Sequence, residues 1–511
     1  MLVTVECVRV RELQNCTDLQ VQNAIRNMFP AKAQRSKAKL NKRFALLLCA
    51  FAGNCFVLLC VGVVGAQGNV RSRVTVSITK PGEIKIDAEL SRPVNSWSFR
   101  NAYAGVLGIA ERVNDFQVQG AVAKKVVTGE FRSDLKASKI SYTVRLSEPT
   151  AADVSHFSWL VGDRGLLMFA DLIPLEIHSL SAEFLLPAGW TVESSFPREA
   201  NGQYDVAEPE KAVFFVGRSL SKISSTVEGM PLEVVLSGKW PFNERDALDP
   251  ATTVMQKYLA LTGFRLPGTS VIMIAPLPVS DRKTGWKAET RGSTVVLLLN
   301  PSARFERLRG QLTIIFTHEV LHLWVPNSLN LEGDYDWFYE GFTLYTALRT
   351  ALELKAIDFK EFLNTLARVY DSYRSHPDTL SLIDESERRW AASGAQVYVK
   401  GMLVAFLYDL MIRKESGSKT TLADRYRDLF SGRVADGANG NEVIIALLGS
   451  PPAVSHFTKS YVENSTQLEL KRILPAYGLS LESAGKGSQL RVSRDLNEEQ
   501  KRLLQSLGYR D

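Results

Sequence analysis

The chain has 511 residues, 45% of them apolar and 23% charged, which suits two or three domains with separate cores and excludes a disordered chain. Its formal net charge of +6 arises wholly in residues 1–43, where nine Lys/Arg stand against three Asp/Glu. The remainder, with 52 charges of each sign, is neutral and lacks the basic footprint that a nucleic-acid partner requires.

Within the basic segment 1–43, five cations (Arg35, Lys37, Lys39, Lys42 and Arg43) precede an uncharged run from Phe44 to Ala66. Twenty-three such residues can span a bilayer, with the flanking charges holding the N-terminus in the cytoplasm. The same run fits a signal peptide, because Val64-Gly65-Ala66 places small residues where a signal peptidase cuts. A buried soluble helix is the third reading. The first two put the body outside the cytoplasm, periplasmic or extracellular, with membrane contact only through residues 44–66. Residues 1–27 fit neither a signal nor a domain, and a start at Met28 would give a more ordinary signal. All five cysteines (Cys7, Cys16, Cys49, Cys55, Cys60) precede residue 61, so the body is thiol-free, which suits an oxidising compartment.

Residues 67–240 read as a β-rich domain. Val74, Val76 and Ile78 alternate with polar residues, as do Ile140, Tyr142, Val144 and Leu146, and Gly, Pro and Ser break the runs, which suggests antiparallel strands. Residues 241–430 read as a mixed and then helical domain. "TSVIMIAPLPVS" and "STVVLLLNPS" are two buried strands, and helical periodicity dominates from Leu308 onward. One helix is "YVKGMLVAFLYDLMIRKESG", with Arg413 and Lys414 in its last turn and Gly417 placed to end it. Residues 431–511 are expected to be helical. The fold class is multidomain α+β.

The chemistry is concentrated in "FTHEVLHLW". Positions four apart lie on one face of a helix, so His318 and His322 can aim two imidazoles at one point. Glu319 is then beside that point, placed to take a proton from a metal-activated water. Burying two histidines and a glutamate on an apolar helix costs free energy unless they have a joint purpose. A third ligand is required. Glu340, among Trp337, Phe338, Tyr339 and Phe342, is the best placed, and Glu332, Asp334 and Asp336 compete from the connecting loop, where they read as solvated. The strand Ser293–Leu299 is expected beside the cleft, where an extended peptide can pair with it. Glu289, at its entrance, is a candidate to bind a substrate's free ammonium group. Arg291 has no assignment, and His156, His178, His376 and His456 have no spacing partners.

"HEVLHLW" followed by "WFYEGFTLY" resembles the gluzincin metallopeptidases and, within them, the glycyl aminopeptidase-like family. "WKAETRGSTVVLLL", the Tyr-x-Lys-Gly helix and "HFTKSYVENSTQLELKRILPAYGLSLE" resemble further stretches of that family, over about residues 240 to 482. The resemblance implies a thermolysin-like catalytic domain, one Zn2+ on His318, His322 and Glu340, and Tyr398 as donor to the oxyanion. It implies a peptide or protein substrate and leaves Lys400 and Gly401 as structural residues. The sequence departs from the family in several places. Only seventeen residues separate His322 from Glu340, and Val325-Pro326 stands where an Asn commonly follows the Trp. Ala288-Glu289-Thr290 replaces Leu-Glu-His, and no PDZ-like domain follows. The expected activity is therefore zinc-dependent peptide-bond hydrolysis, of aminopeptidase type. The alternative is a non-catalytic envelope-located binding module on the same fold.

Overall fold

A computed structural model describes residues 71–510, apart from 105, 147, 150–153, 279–284, 302–304, 376–378, 390–394, 433–434, 450–451 and 485–486. The basic segment, the apolar run Phe44–Ala66 and His376 lie outside the described residues. Among the described residues no helix is long and apolar enough to cross a membrane.

The first unit is built from two sheets. Ser72–Lys80 and Glu83–Ser98 form the middle of a seven-stranded sheet that also takes in Glu130–Arg145 and Leu180–Leu185. Alternation puts Val74, Val76, Ile84, Ile86, Tyr142 and Val144 on its buried face. The expected antiparallel pattern holds except at one pair: Ser72–Lys80 runs parallel to Leu180–Leu185. The second sheet has four strands, in the order Trp190–Ser194, Val213–Arg218, Arg164–Met168, Trp159–Val161. Both of its faces are apolar. Leu167, Phe214 and Val216 pack with the seven-stranded sheet, whereas Trp159, Leu166, Met168, Val213 and Phe215 pack on Val235, Met273, Val296 and Leu298 of a third sheet. This shared core ties the β-unit to the unit that follows.

That third sheet begins earlier than expected. A boundary at 240 leaves Ser221–Val227 and Met230–Leu236 in the first domain, but they pair onward with Ser270–Pro276, Thr294–Leu299 and Trp286–Arg291 in one five-stranded sheet. Period-two alternation looks the same in either sheet, so the switch leaves no local mark. The order also corrects the expectation for the cleft. Thr294–Leu299 is buried along its whole length between two neighbours, and Trp286–Arg291 is the edge strand.

Helices cover the other face of this sheet. Glu244–Thr262 opens on a capping box between Asn243 and Asp246 and ends at Gly263, whose φ of +69° suits glycine. Phe305–Glu319, Thr343–Glu353, Phe359–Arg374 and Ala395–Glu415 follow, with Gly417 just past the last of these at φ +60°. The C-terminal region is not purely helical as expected. Leu479–Ala484 and Gly487–Val492 form a hairpin held to the helix Phe359–Arg374 where Ser488 N donates to Asp371 Oδ2 at 2.7 Å. The closing helix Glu498–Ser506 is fastened by Arg413, whose Nη1 donates to Ser506 O at 3.1 Å.

Candidate metal centre

Leu312, Ile315 and Phe316 anchor the helix Phe305–Glu319 in the core. The helix tightens directly after Glu319 into a 3₁₀ turn over Leu321–Leu323. The tightening keeps His318 and His322 convergent, and their Nε2 atoms are 3.2 Å apart. His322 Nδ1 donates to Val325 O at 2.9 Å, which places the ring's lone pair on Nε2, facing His318.

Glu340 comes from the next helix, whose first turn, Trp337–Phe342, is a π-turn. Gly341 and Gly401 bring this helix against Ala395–Glu415. A Cβ on Gly341 would stand 2.5 Å from Gly401 Cα, and one on Gly401 would stand 2.8 Å from Trp337 O. That backbone contact sets Glu340, one residue before Gly341, against Tyr398, three before Gly401. Glu340 Oε2 lies 3.6 Å from His322 Nε2 and 3.8 Å from His318 Nε2. Ligand atoms about 2.0–2.2 Å from a tetrahedral zinc stand about 3.3 Å apart, so the three donors have the spacing of ligands to one ion. They form the one His/Cys/Asp/Glu group of this kind among the described residues. All three are buried, as is Glu319, with no residue of the four above 9% exposure. The donor set fits a divalent metal: two imidazole nitrogens and one carboxylate oxygen converge on one point.

The electrostatics agree with that chemistry. Burial, followed by the neighbouring His322, depresses the His318 pKa to about 3, so its ring is neutral at pH 7. Burial pushes Glu340 up, but Arg389 and the two histidines more than reverse this and bring it to about 2. Glu319 is raised to about 7, mainly by burial, with His322 and a hydrogen bond from Thr290 opposing. The Thr290 hydroxyl lies 2.9 Å from Glu319 Oε2 and from its carbonyl oxygen.

Arg389 was not anticipated. Its Nη2 donates to Glu340 Oε1 at 2.8 Å and also to the Tyr398 hydroxyl, while Nη1 pairs with Asp336 Oδ1. Asp336 is therefore buried and paired, against its expected place in solvent, whereas Glu332 and Asp334 are exposed. One guanidinium thus links the carboxylate donor to Tyr398. Burial drives the Tyr398 pKa far up and Arg389 only partly opposes it, so the hydroxyl stays protonated and can donate.

Glu289 lies on the edge strand, on the opposite face from Thr290. Arg291 Nη2 donates to its Oε1 at 2.8 Å and the Tyr103 hydroxyl donates to the same oxygen at 3.1 Å. His156 Nδ1 meets its Oε2. Burial raises Glu289, but His156 and Arg291 outweigh that and lower it to about 2. Sequence reading missed Thr290, Arg291, His156 and Arg389. Strand alternation carried a signal for Thr290 and for Arg291, which shares a face with Glu289 two residues away; the contacts of His156 and Arg389 join elements far apart in the chain.

No protein-family model matches the chain, and no curated protein sequence matches it. Solved structures do. An aminopeptidase N family protein from Idiomarina loihiensis superposes at a TM-score of 0.69, covering 80% of this chain and 79% of that one at 18% identity. An M1 zinc metallopeptidase from Deinococcus radiodurans gives 0.53, covering 79% and 95% at 14% identity. A mutant of it bound to the peptide Tyr-Ser-Ala gives 0.52, covering 79% and 95% at 13% identity. The chain shares the multidomain α+β fold of these proteins.

Proposed function

We propose that this chain is a zinc-dependent peptidase that removes residues from the amino end of peptides. The observation that carries the reading is the convergence of His318 Nε2, His322 Nε2 and Glu340 Oε2 beside Glu319 and Tyr398. His318, His322 and Glu340 would hold the ion. Zinc, when bound, supplies a Lewis acid that lowers the pKa of water to about 7 and polarises the scissile carbonyl. Glu319, held by Thr290, takes a proton from the attacking water and returns it to the leaving amine. Tyr398, kept as a donor and oriented by Arg389, hydrogen-bonds the oxygen on which negative charge builds. The strand Trp286–Arg291, at the edge of its sheet, is the one beside which an extended substrate would lie, and Glu289 receives the ammonium group. The fold shared with solved zinc metallopeptidases supports the reading. The apolar run Phe44–Ala66 supports a body that works outside the cytoplasm.

Chelation should abolish turnover of short peptides and added Zn2+ should restore it. Glu319→Gln should keep the metal and lose about 10²–10⁴-fold in kcat. Turnover that survives both treatments would remove the mechanism, and peptide binding without turnover would favour a binding module.

A further inference from the structure

Glu289 is not an open acceptor. Glu289 and Arg291 share one face of the edge strand, opposite to Thr290, which touches Glu319. Glu289 itself is near enough to Glu319 for its charge to raise that group's pKa, so the cluster borders the reacting centre. The β-unit closes the cluster with Tyr103 and His156. Arg291 lies 4.8 Å from the centre of the Tyr103 ring, over its face, while its Nη2 donates to Glu289. The two charged side chains are about one-tenth exposed and the His156 side chain is one-quarter exposed. The cluster therefore holds one anion already matched by a permanent cation, with an imidazole on its second oxygen.

This charge count constrains the ligand. An ammonium group arriving alone must share Glu289 with Arg291 and leaves a partly desolvated guanidinium short of its counter-charge, which is costly in a buried site. A first residue with its own carboxylate restores that counter-charge. The guanidinium fork suits such a carboxylate, because its five N–H donors are not exhausted by one bond through Nη2. We propose that Arg291 and His156 make the cleft selective for peptides whose first residue is aspartate or glutamate: the α-ammonium binds Glu289, and the side-chain carboxylate binds Arg291 and the His156 ring. The assignment rests on the aminopeptidase reading above and adds its substrate class.

The test compares kcat/KM of the full chain for peptides identical except at the first residue (Glu, Gln or Leu) and for the N-acetylated Glu peptide. Glu is expected to exceed Gln by about 10- to 100-fold, the range of one charge-assisted hydrogen bond, and acetylation should abolish turnover. Arg291→Gln should collapse the Glu/Gln ratio. Should that variant not fold, the wild-type ratio decides the matter. Equal or better use of Gln or Leu overturns the proposal, as does unimpaired cleavage of the acetylated peptide. Calorimetric titration of Glu319→Gln with L-glutamate and L-glutamine separates the two readings. Tighter binding of glutamate with no peptide turned over by the wild type would sink the peptidase and keep the acidic pocket; turnover without that preference would do the reverse.

Discussion

Glu340 and Glu289 both lie near enough to Glu319 to raise its pKa, and they look alike by several measures. Each side chain is about one-tenth exposed, each is held by an arginine, and in each burial raises the pKa while neighbouring positive charge reverses the effect to about 2. They differ in the second oxygen. Glu289 has both oxygens engaged, by Arg291 and Tyr103 on one and by His156 on the other. Glu340 gives only Oε1 to Arg389 and turns Oε2 toward two imidazole nitrogens at 3.6 and 3.8 Å. A carboxylate whose two oxygens are matched by protein donors holds its charge without an ion and can share it with an arriving ammonium group, whereas one that turns an oxygen toward two imidazole nitrogens has the arrangement of a metal ligand. Burial and a low pKa do not separate the two cases; the accounting of lone pairs does.

The sharpest way to break this contrast lies beside Glu340. Tyr398→Phe removes the hydroxyl that shares Arg389 with Glu340 but leaves all three metal donors in place. A loss of about 10²–10³-fold in kcat is expected, with metal content and first-residue preference retained. Wild-type kcat in this variant would show that the oxyanion takes its donor elsewhere.

At Glu289 the expected effect is on stability. Glu289 has an ordinary value of 4.5 and sits near 2 in the folded chain. Its contribution is therefore fully present above about pH 4.5 and is lost as the pH falls through about 2. The shift corresponds to a contribution on the order of 3 kcal/mol. Glu289→Gln should be less stable than the parent chain at pH 7, by up to about that amount, with the two urea midpoints converging as the pH approaches 2. Midpoints separated by a constant interval from pH 7 to pH 2 would mean that the ionised carboxylate adds nothing to folding.

What could be read from the sequence follows from how local each signal is. His318, Glu319 and His322 were legible because helical spacing alone brings them together. Glu340 was legible because a carboxylate among Trp337, Phe338 and Phe342 needs a cation. Tyr398 rested on resemblance, because a tyrosine near a helix start carries no sign of its own. Arg389 and His156 left no trace: they reach Glu340 and Glu289 across 49 and 133 residues, and only the packed fold creates those contacts. The charged make-up of Trp286–Arg291 beside the apolar Thr294–Leu299 did mark it as the edge strand, but the cleft was expected beside Ser293–Leu299. The hairpin in the tail had a readable pattern, with Leu479 and Leu481 alternating before a glycine-bearing turn and Leu490 and Val492 after it. Helical expectation for the tail overrode that pattern.

The same substitution at the two arginines probes the contrast most finely. Arg389 presents a planar fork to Glu340, Tyr398 and Asp336 at once, and a lysine ammonium cannot reproduce that geometry. Arg389→Lys should weaken metal binding by about 10–100-fold in competition with a chelator, the usual cost of losing a group that orients a metal ligand. Arg291→Lys should leave metal affinity at the parental value, because Glu289 gives no atom to the ion, and should narrow only the preference for an acidic first residue. Equal loss of metal in both variants would mean that the two carboxylates and their arginines form one electrostatic unit. Metal affinity unchanged in Arg389→Lys would mean that the Gly341–Gly401 contact alone holds Glu340 in place, with the guanidinium serving Tyr398.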